Sequence, residues 1–137
     1  MLQPLKLDLS QNVPSGMVEN IESAFKRQLP EFRPAICYND GHFVVVGSGP
    51  SLADFADEIR EERSKGRPIC AVKGAHDWLC DQGIEPDLFV SLDPRDRRNN
   101  VQRPTERTVY LLSSRCSPSL FDHLKDKPIV LWHAASR

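Results

Sequence analysis

Residues 43–52, which read FVVVGSGPSL, join an apolar run to a glycine-rich turn and decide the fold. The run at 43–46 is apolar at every position, which is typical of a strand in a covered parallel sheet. Glycine and proline then follow at Gly47, Gly49 and Pro50, residues that end a strand and begin a helix. The stretch therefore predicts the first strand-to-helix unit of an α/β domain.

Four more short apolar runs follow this one, at residues 68–72, 88–92, 108–112 and 128–132. Helical patterns lie between them. An amphipathic helix begins near Leu52 and ends near Gly66, a short helix stops at Gly83, and Ser117 caps a third helix. This alternation predicts an α/β fold, a Rossmann-like three-layer sandwich with a mainly parallel sheet of about five strands.

The ends of the chain and one connection differ from this pattern. Apolar residues between Met17 and Leu29 recur at helical spacing and predict an N-terminal helix. We therefore divide the chain into an N-terminal helical extension, residues 1–40, and a Rossmann-like nucleotide-binding core, residues 41–137. The connection at 94–106 is polar and predicts a loop with one helical turn. A loop of this length in a compact domain is usually functional or mobile.

Composition limits the class of protein. A chain of 137 residues is one domain, and 18 basic against 19 acidic residues give a net charge of −1. We therefore expect no nucleic-acid partner and no membrane partner, while the oligomeric state stays open. The four cysteines form no metal-binding spacing, so we interpret them as reduced thiols of a cytoplasmic protein. These residues are Cys37, Cys70, Cys80 and Cys116.

The turn after the first strand has the composition of a phosphate-binding loop. Glycines allow close approach of the backbone to a ligand, and a helix N-terminus attracts anions. We expect the phosphates to contact Gly47, Ser48, Gly49, Pro50 and Ser51. The structural alternative is a tight turn capped by Ser51, with Asp54 completing a weak capping box.

Two departures argue against an ordinary dinucleotide dehydrogenase. Leu52 replaces the third glycine of the G-x-G-x-x-G pattern, and the second strand ends in Lys73 instead of an acidic residue. A P-loop motif is also absent. Lys73 and Gly74 are candidates to contact a phosphate. The structural alternative is that Lys73 is a solvated surface lysine and that Gly74 is a glycine at the start of a helix.

Polar residues also follow the later strands. Asp93 comes directly after the third strand, where its carboxylate can bind Mg²⁺ or accept a proton, or else cap the loop. Ser113 and Ser114 end the fourth strand and are further candidates for phosphate contact. His133 and His76 are weaker candidates for a base, and we interpret His76 as a surface residue.

Four motifs in order resemble one known family. They are residues 47–52, the lysine-glycine-alanine start of the second helix at 73–75, the segment 83–87 and the Ser-Leu-Asp-Pro segment at 91–94. Over residues 42–133 the chain resembles archaeal 6-hydroxymethylpterin diphosphokinases. That family includes bacterial motility accessory factors implicated in flagellin glycosylation and many phage or prophage proteins of unassigned role. The first motif is also similar to the turn of bacterial sialyltransferases that binds a cytidine nucleotide.

The resemblance implies a small-molecule nucleotide ligand with a metal or substrate contact at Asp93. One hypothesis is a phosphate- or pyrophosphate-group transferase that uses ATP and Mg²⁺, with Asp93 as catalytic residue and metal ligand. The alternatives are a glycosyltransferase-like protein that uses a nucleotide sugar and a non-catalytic nucleotide-binding module. Lys73 departs from the Asp or Asn common in the family. The resemblance also implies a core that is short at its C-terminal end.

Overall fold

The computed structural model describes residues 16–33 and 40–134. The predicted parallel sheet of five strands is confirmed, and each strand lies within one or two residues of its apolar run. The strands are β1 (Val44–Val46), β2 (Ile69–Val72), β3 (Leu88–Ser91), β4 (Val109–Ser113) and β5 (Ile129–Trp132). All neighbours pair in parallel, and their spatial order is the order of the sequence.

The predicted helices are present as well. They are α1 (Met17–Lys26), α2 (Ala56–Ser64), α3 (Ala75–Asp81) and α4 (Pro118–His123). A 3-10 turn, Leu52–Phe55, precedes α2, and another, Arg98–Asn100, is the single helical turn of the polar loop. Among residues 16–33 and 40–134, no helix is long and apolar enough to cross a membrane.

One face of the sheet carries the core. Ala71, Phe89 and Tyr110 lie side by side in the sheet register and are fully buried. They share one apolar cluster with residues of α2, α3 and α4. Right-handed crossovers that advance in one direction place their helices on the same side of the sheet, which explains the shared core. On the opposite face, Val90 and Leu111 are half-buried and Val45 is exposed.

The N-terminal residues are joined to the sheet. The Phe32 N–H donates to the Leu131 carbonyl, and the Leu131 N–H donates to the Pro30 carbonyl, both at 2.7 Å. Residues 30–32 therefore extend the sheet beyond β5. In α1, the Asn20 side chain donates to the Pro94 carbonyl at 3.1 Å and to the Arg115 carbonyl at 3.0 Å. This helix thus ties together the loops that follow β3 and β4.

The 83–87 motif fixes the opposite end of the sheet. The Asp87 carboxylate accepts hydrogen bonds from the Ile69 N–H and from the Arg63 guanidinium, both at 2.7 Å. These bonds join the starts of β2 and β3 to α2. Gly83 has φ +73°, a left-handed conformation that glycine adopts without strain, and it ends the helical turn after α3. The motif therefore has a structural role.

Asp87→Ala is expected to lower the free energy of unfolding by about 1–2 kcal/mol, because the Ile69 N–H loses a charged acceptor in a partly exposed site. Urea denaturation measures the change. Asp54→Ala is the control, because Asp54 is exposed and no side-chain cap is formed at its helix start. Equal stability of both variants and the wild type would contradict the structural role of Asp87.

Candidate functional site

A cleft of about 360 Å³ lies at the carboxyl ends of β1, β2 and β3. The strand order contains no reversal, so this cleft is not the crevice of a dinucleotide fold. It forms because the polar loop after β3 folds over the strand ends. The cleft is lined by Ser48, Val72, Lys73, Val90, Ser91, Leu92, Asp93, Arg95, Arg97 and Asn100. Of the candidate residues, it therefore brings together Ser48, Lys73 and Asp93.

The glycine turn borders this cleft on one side and a second depression on the other. Gly47, Gly49 and Ser51 line the second depression, which is mostly apolar and has a volume of about 240 Å³. Within the described residues, the N–H groups of Ser48, Gly49 and Ser51 find no acceptor. Ser51 occupies the N-cap position of the 3-10 turn, but its hydroxyl makes no capping hydrogen bond. The capping-box alternative is thus not formed, and the turn presents free donors to solvent.

The fold does not require glycine at the turn. Gly47, Gly49 and Gly74 have no positive φ, and a Cβ atom at Gly49 would meet nothing within 4 Å. At Gly47 and Gly74 an added Cβ would make ordinary contacts of 3.9 and 3.8 Å. Neither backbone conformation nor packing therefore explains glycine at these positions. Space for a ligand to approach the backbone closely is a remaining explanation.

At Lys73, in contrast to these glycines, the backbone conformation is one that favours glycine and is strained for lysine. Its φ is +54°, in the left-handed region that disfavours side chains with a Cβ atom. The side chain is exposed at the cleft, and no hydrogen bond or ion pair joins it to another described residue. A strained lysine without a partner among the described residues points to function more than to stability.

Asp93 is held by two arginines. Its Oδ1 atom accepts bonds from the backbone N–H of Arg95 at 3.0 Å and from its Nε at 2.9 Å. Its Oδ2 atom accepts bonds from Nη2 of Arg95 at 2.8 Å and from Nε of Arg97 at 2.7 Å. The Arg95 guanidinium contributes most to a pKa of Asp93 that lies well below its ordinary range. The carboxylate is therefore ionised and already bound.

The polar loop is fastened at both ends by distant residues. Asn20 of α1 binds the Pro94 carbonyl, and the Asp77 carboxylate accepts a hydrogen bond from the Gln102 N–H at 2.8 Å. Val101 between them is fully buried. These contacts bring Arg95, Arg97 and Asn100 to the cleft, where we had not predicted them. The repeated Asp-x-Arg pattern at 93–95 and 96–98 was the signal available in the sequence.

The other candidates at this edge lie outside the cleft. Ser113 and Ser114 are buried, and Ser114 binds the Nδ1 atom of His133 at 3.1 Å. The His133 ring stacks on Phe25 of α1, with ring centroids 5.0 Å apart. Helix α1 thus packs over the ends of β4 and β5. Phosphate contact by Ser113 and Ser114 stays an untested prediction, without support from the cleft geometry.

His76 is fully buried, so its interpretation as a surface residue was wrong. Its two ring nitrogens lie 3.0 Å from the Asp77 carboxylate and 3.0 Å from the Tyr110 hydroxyl. That hydroxyl also accepts the Thr105 N–H at 2.8 Å. Burial lowers the pKa of His76. The residue is part of a closed internal network and is not available as a base in the cleft.

Comparison with known proteins places the chain in a family. The family model of 6-hydroxymethylpterin diphosphokinase MptE-like proteins matches residues 15–136. The chain belongs to the MptE-like family. A search of curated proteins found no significant match for this MptE-like chain.

A solved structure has a similar fold. It is the Maf glycosyltransferase from Magnetospirillum magneticum AMB-1, with a TM-score of 0.61 and 17% sequence identity. The similarity covers 88% of the MptE-like chain and 21% of the glycosyltransferase chain. The chain thus spans about a fifth of the length of this structural neighbour, and the two share a fold.

The described residues of this MptE-like chain do not fit a Mg²⁺ site at Asp93. A carboxylate has about four lone-pair positions, and all four on Asp93 accept hydrogen bonds from Arg95 and Arg97. The described residues also contain no group of three acidic, histidine or cysteine side chains arranged to hold a metal. The two guanidinium groups beside the carboxylate would repel a metal cation.

Among the described residues of this MptE-like chain, Cys70, Cys80 and Cys116 are free thiols. Cys70 and Cys116 are buried, and burial raises the pKa of Cys116 to about 11. Such a thiol is unreactive and packs as a small apolar residue. Cys37 lies outside the described residues.

Proposed function

We propose that the chain is the nucleotide-binding domain of a group transferase and that the cleft binds the phosphates of the nucleotide. The observation that carries the proposal is the convergence of Lys73, Arg95 and Arg97 with Ser48, the residue of the glycine turn that lines the cleft and whose N–H has no acceptor among the described residues. Three basic side chains face one carboxylate in the cleft. This local excess of positive charge favours an anionic ligand although the whole chain is nearly neutral.

The glycine turn supports the same ligand. Gly49 leaves the space beside its backbone empty, and the N–H groups of Ser48 and Gly49 have no partner among the described residues. Backbone N–H groups that converge in a turn form an anion-binding concavity. The volume of the cleft is in the range of small-molecule sites, so a diphosphate with part of a nucleoside is a suitable occupant.

The described residues of the cleft are suited to binding a phosphate and less suited to acid-base catalysis. The cleft contains no histidine, and its only carboxylate is Asp93, which is held by two arginines. Transfer of a group from a nucleotide depends largely on positioning and on neutralising the phosphate charge, and basic side chains supply both. A general base for the acceptor is not part of the cleft as described.

A nucleotide sugar is the second candidate donor. The observation that favours it is the occupation of Asp93, because pyrophosphoryl transfer from ATP usually relies on a carboxylate-bound Mg²⁺. In glycosyl transfer the acceptor oxygen bonds to the anomeric carbon, loses its proton and displaces the nucleotide phosphate, whose negative charge basic side chains can neutralise without a metal. In this case Lys73 and Arg97 would stabilise the departing nucleotide.

Thermal-shift measurements with ATP, GTP, UDP-sugars and CMP-sugars, each in EDTA and in MgCl₂, test the proposal. We expect at least one nucleotide to raise Tm in a concentration-dependent way, since a ligand that binds only the folded chain stabilises it. Stabilisation by sugar nucleotides alone would select the second candidate. Nucleotide binding would be refuted if no nucleotide changed Tm at millimolar concentration and if calorimetric titration with the same nucleotides gave no heat of binding.

Gly49→Val is expected to leave Tm within about 2 °C of the wild type and to weaken pyrophosphate binding at least tenfold. A Cβ atom at position 49 meets no atom within 4 Å, and a valine side chain would fill space beside the N–H donors. Calorimetric titration with inorganic pyrophosphate measures the affinity.

Gly83→Val provides the matched control. Gly83 has φ +73° and lies at the opposite end of the sheet. This variant should lose about 1–2 kcal/mol of stability and keep its affinity for pyrophosphate. If Gly49→Val bound pyrophosphate as tightly as the wild type, the turn would be structural only.

A further inference from the structure

The two guanidinium groups on Asp93 are not equivalent. Arg95 uses Nε and Nη2 on the carboxylate, and its side chain is 68% exposed. Arg97 uses only Nε, its side chain is 28% exposed, and its two Nη groups have no described partner. The Nε bond to Asp93 therefore orients the planar Nη pair of Arg97, which no other described residue engages, toward a ligand in the cleft.

An adjacent pair shows that this arrangement is specific to the cleft. Asp96 accepts the N–H, Nε and Nη2 of Arg98 at 2.7–3.1 Å, the same local geometry that Asp93 forms with Arg95. Neither Asp96 nor Arg98 lines the cleft, and no second arginine binds Asp96 among the described residues. The Asp-x-Arg pattern is therefore a local loop structure, whereas the addition of Arg97 is particular to Asp93.

We propose that Asp93 is a positioning residue that orients Arg97 as the phosphate ligand, and that phosphate binding in the cleft needs no divalent metal. This inference rests on the proposed function. A guanidinium presents two parallel N–H donors that match two phosphate oxygens, and it carries permanent positive charge. Arg97 and Lys73 together supply the charge neutralisation that a metal would otherwise provide. Asp93 offsets one positive charge but holds the guanidinium in place.

Calorimetric titration of the full chain with inorganic pyrophosphate, in EDTA and in excess MgCl₂, tests the inference. The expected result is binding in EDTA, with an affinity within about threefold of that in MgCl₂. Arg97→Gln should weaken binding in EDTA at least tenfold. Arg97→Lys should recover less than half of the loss on a logarithmic scale, because an ammonium lacks the two parallel donors. Arg98→Gln is the matched control and should bind like the wild type.

Asp93→Asn separates the two roles of the carboxylate. If Asp93 positions Arg97, the Asn variant still binds pyrophosphate in EDTA. In the Asp93→Asn background, the further Arg97→Lys exchange leaves the affinity unchanged, because the guanidinium is no longer oriented. Circular dichroism confirms that each variant is folded. Binding that requires Mg²⁺ and disappears in Asp93→Asn would overturn the inference and leave nucleotide binding intact. Absence of pyrophosphate and nucleotide binding under both conditions would overturn both proposals.

Discussion

Replacement of His76 by alanine is expected to lower the free energy of unfolding by about 3 kcal/mol. The imidazole is fully buried, packs edge-on against Phe89 and bonds to Asp77 and Tyr110. Its removal creates a cavity and leaves the Tyr110 hydroxyl without one of its partners. Urea denaturation followed by circular dichroism measures the change.

The same residue gives a pH dependence with a defined sign. Burial lowers the pKa of His76 below its ordinary value of 6.5, so the unfolded chain binds the proton more readily than the folded chain. Its contribution to stability is therefore complete above pH 6.5 and is lost as the pH decreases below that value. We expect His76→Gln to flatten the stability profile between about pH 7.5 and pH 5.5.

His133→Gln is the control for the stability measurement, because His133 is partly exposed, stacks on the Phe25 ring and bonds to Ser114. It should change stability by less than about 1 kcal/mol. A wild-type profile that rises as the pH falls from 7.5 to 5.5, or one that His76→Gln does not alter, would contradict the buried neutral imidazole.

Lys73→Gly is expected to stabilise the fold and to impair binding. Removal of the Cβ atom at φ +54° relieves strain of about 1 kcal/mol, and loss of the ammonium should weaken pyrophosphate binding about tenfold. Opposite signs in stability and affinity are the signature of a residue kept for function. Thermal denaturation and calorimetric titration give the two values.

Two variants separate strain from charge. Gln28 has φ +52° and lies after α1, away from the cleft, so Gln28→Gly should raise stability without an effect on binding. Lys73→Gln keeps the strain and removes the charge, so it should lose affinity without a gain in stability. If Lys73→Gly bound pyrophosphate like the wild type, the lysine would be a solvated residue.

The sequence was informative where one residue type has a local consequence. Apolar runs at 43–46 and 128–132 predict strands because continuous hydrophobicity over four or five residues is typical of a strand in a covered parallel sheet. Proline at Pro118 and glycine at Gly83 mark the start and the end of helices for reasons of backbone geometry. These rules act over a few residues and do not depend on long-range contacts.

The cleft was only partly predictable. Asp93 and Lys73 follow strands directly, so parallel pairing alone brings them to one edge of the sheet. The positions of Arg95 and Arg97 depend on a loop without periodicity, which Asn20 and Asp77 hold from distant parts of the chain. Ser113 ends β4 and Ser114 follows it, but α1 packs over that part of the edge.

The sequence by itself therefore determined the α/β class, the five parallel strands and the edge at which polar residues gather, because hydrophobic period and turn chemistry are local. Only the tertiary structure decided which of those residues share a cleft, that His76 is internal and that Asp93 is bound by two arginines. These outcomes depend on hydrogen bonds and packing between residues far apart in the chain, such as His76 with Tyr110. The turn at 47–51 needed both: its composition predicted a phosphate-binding loop, and the structure showed N–H groups without an acceptor among the described residues.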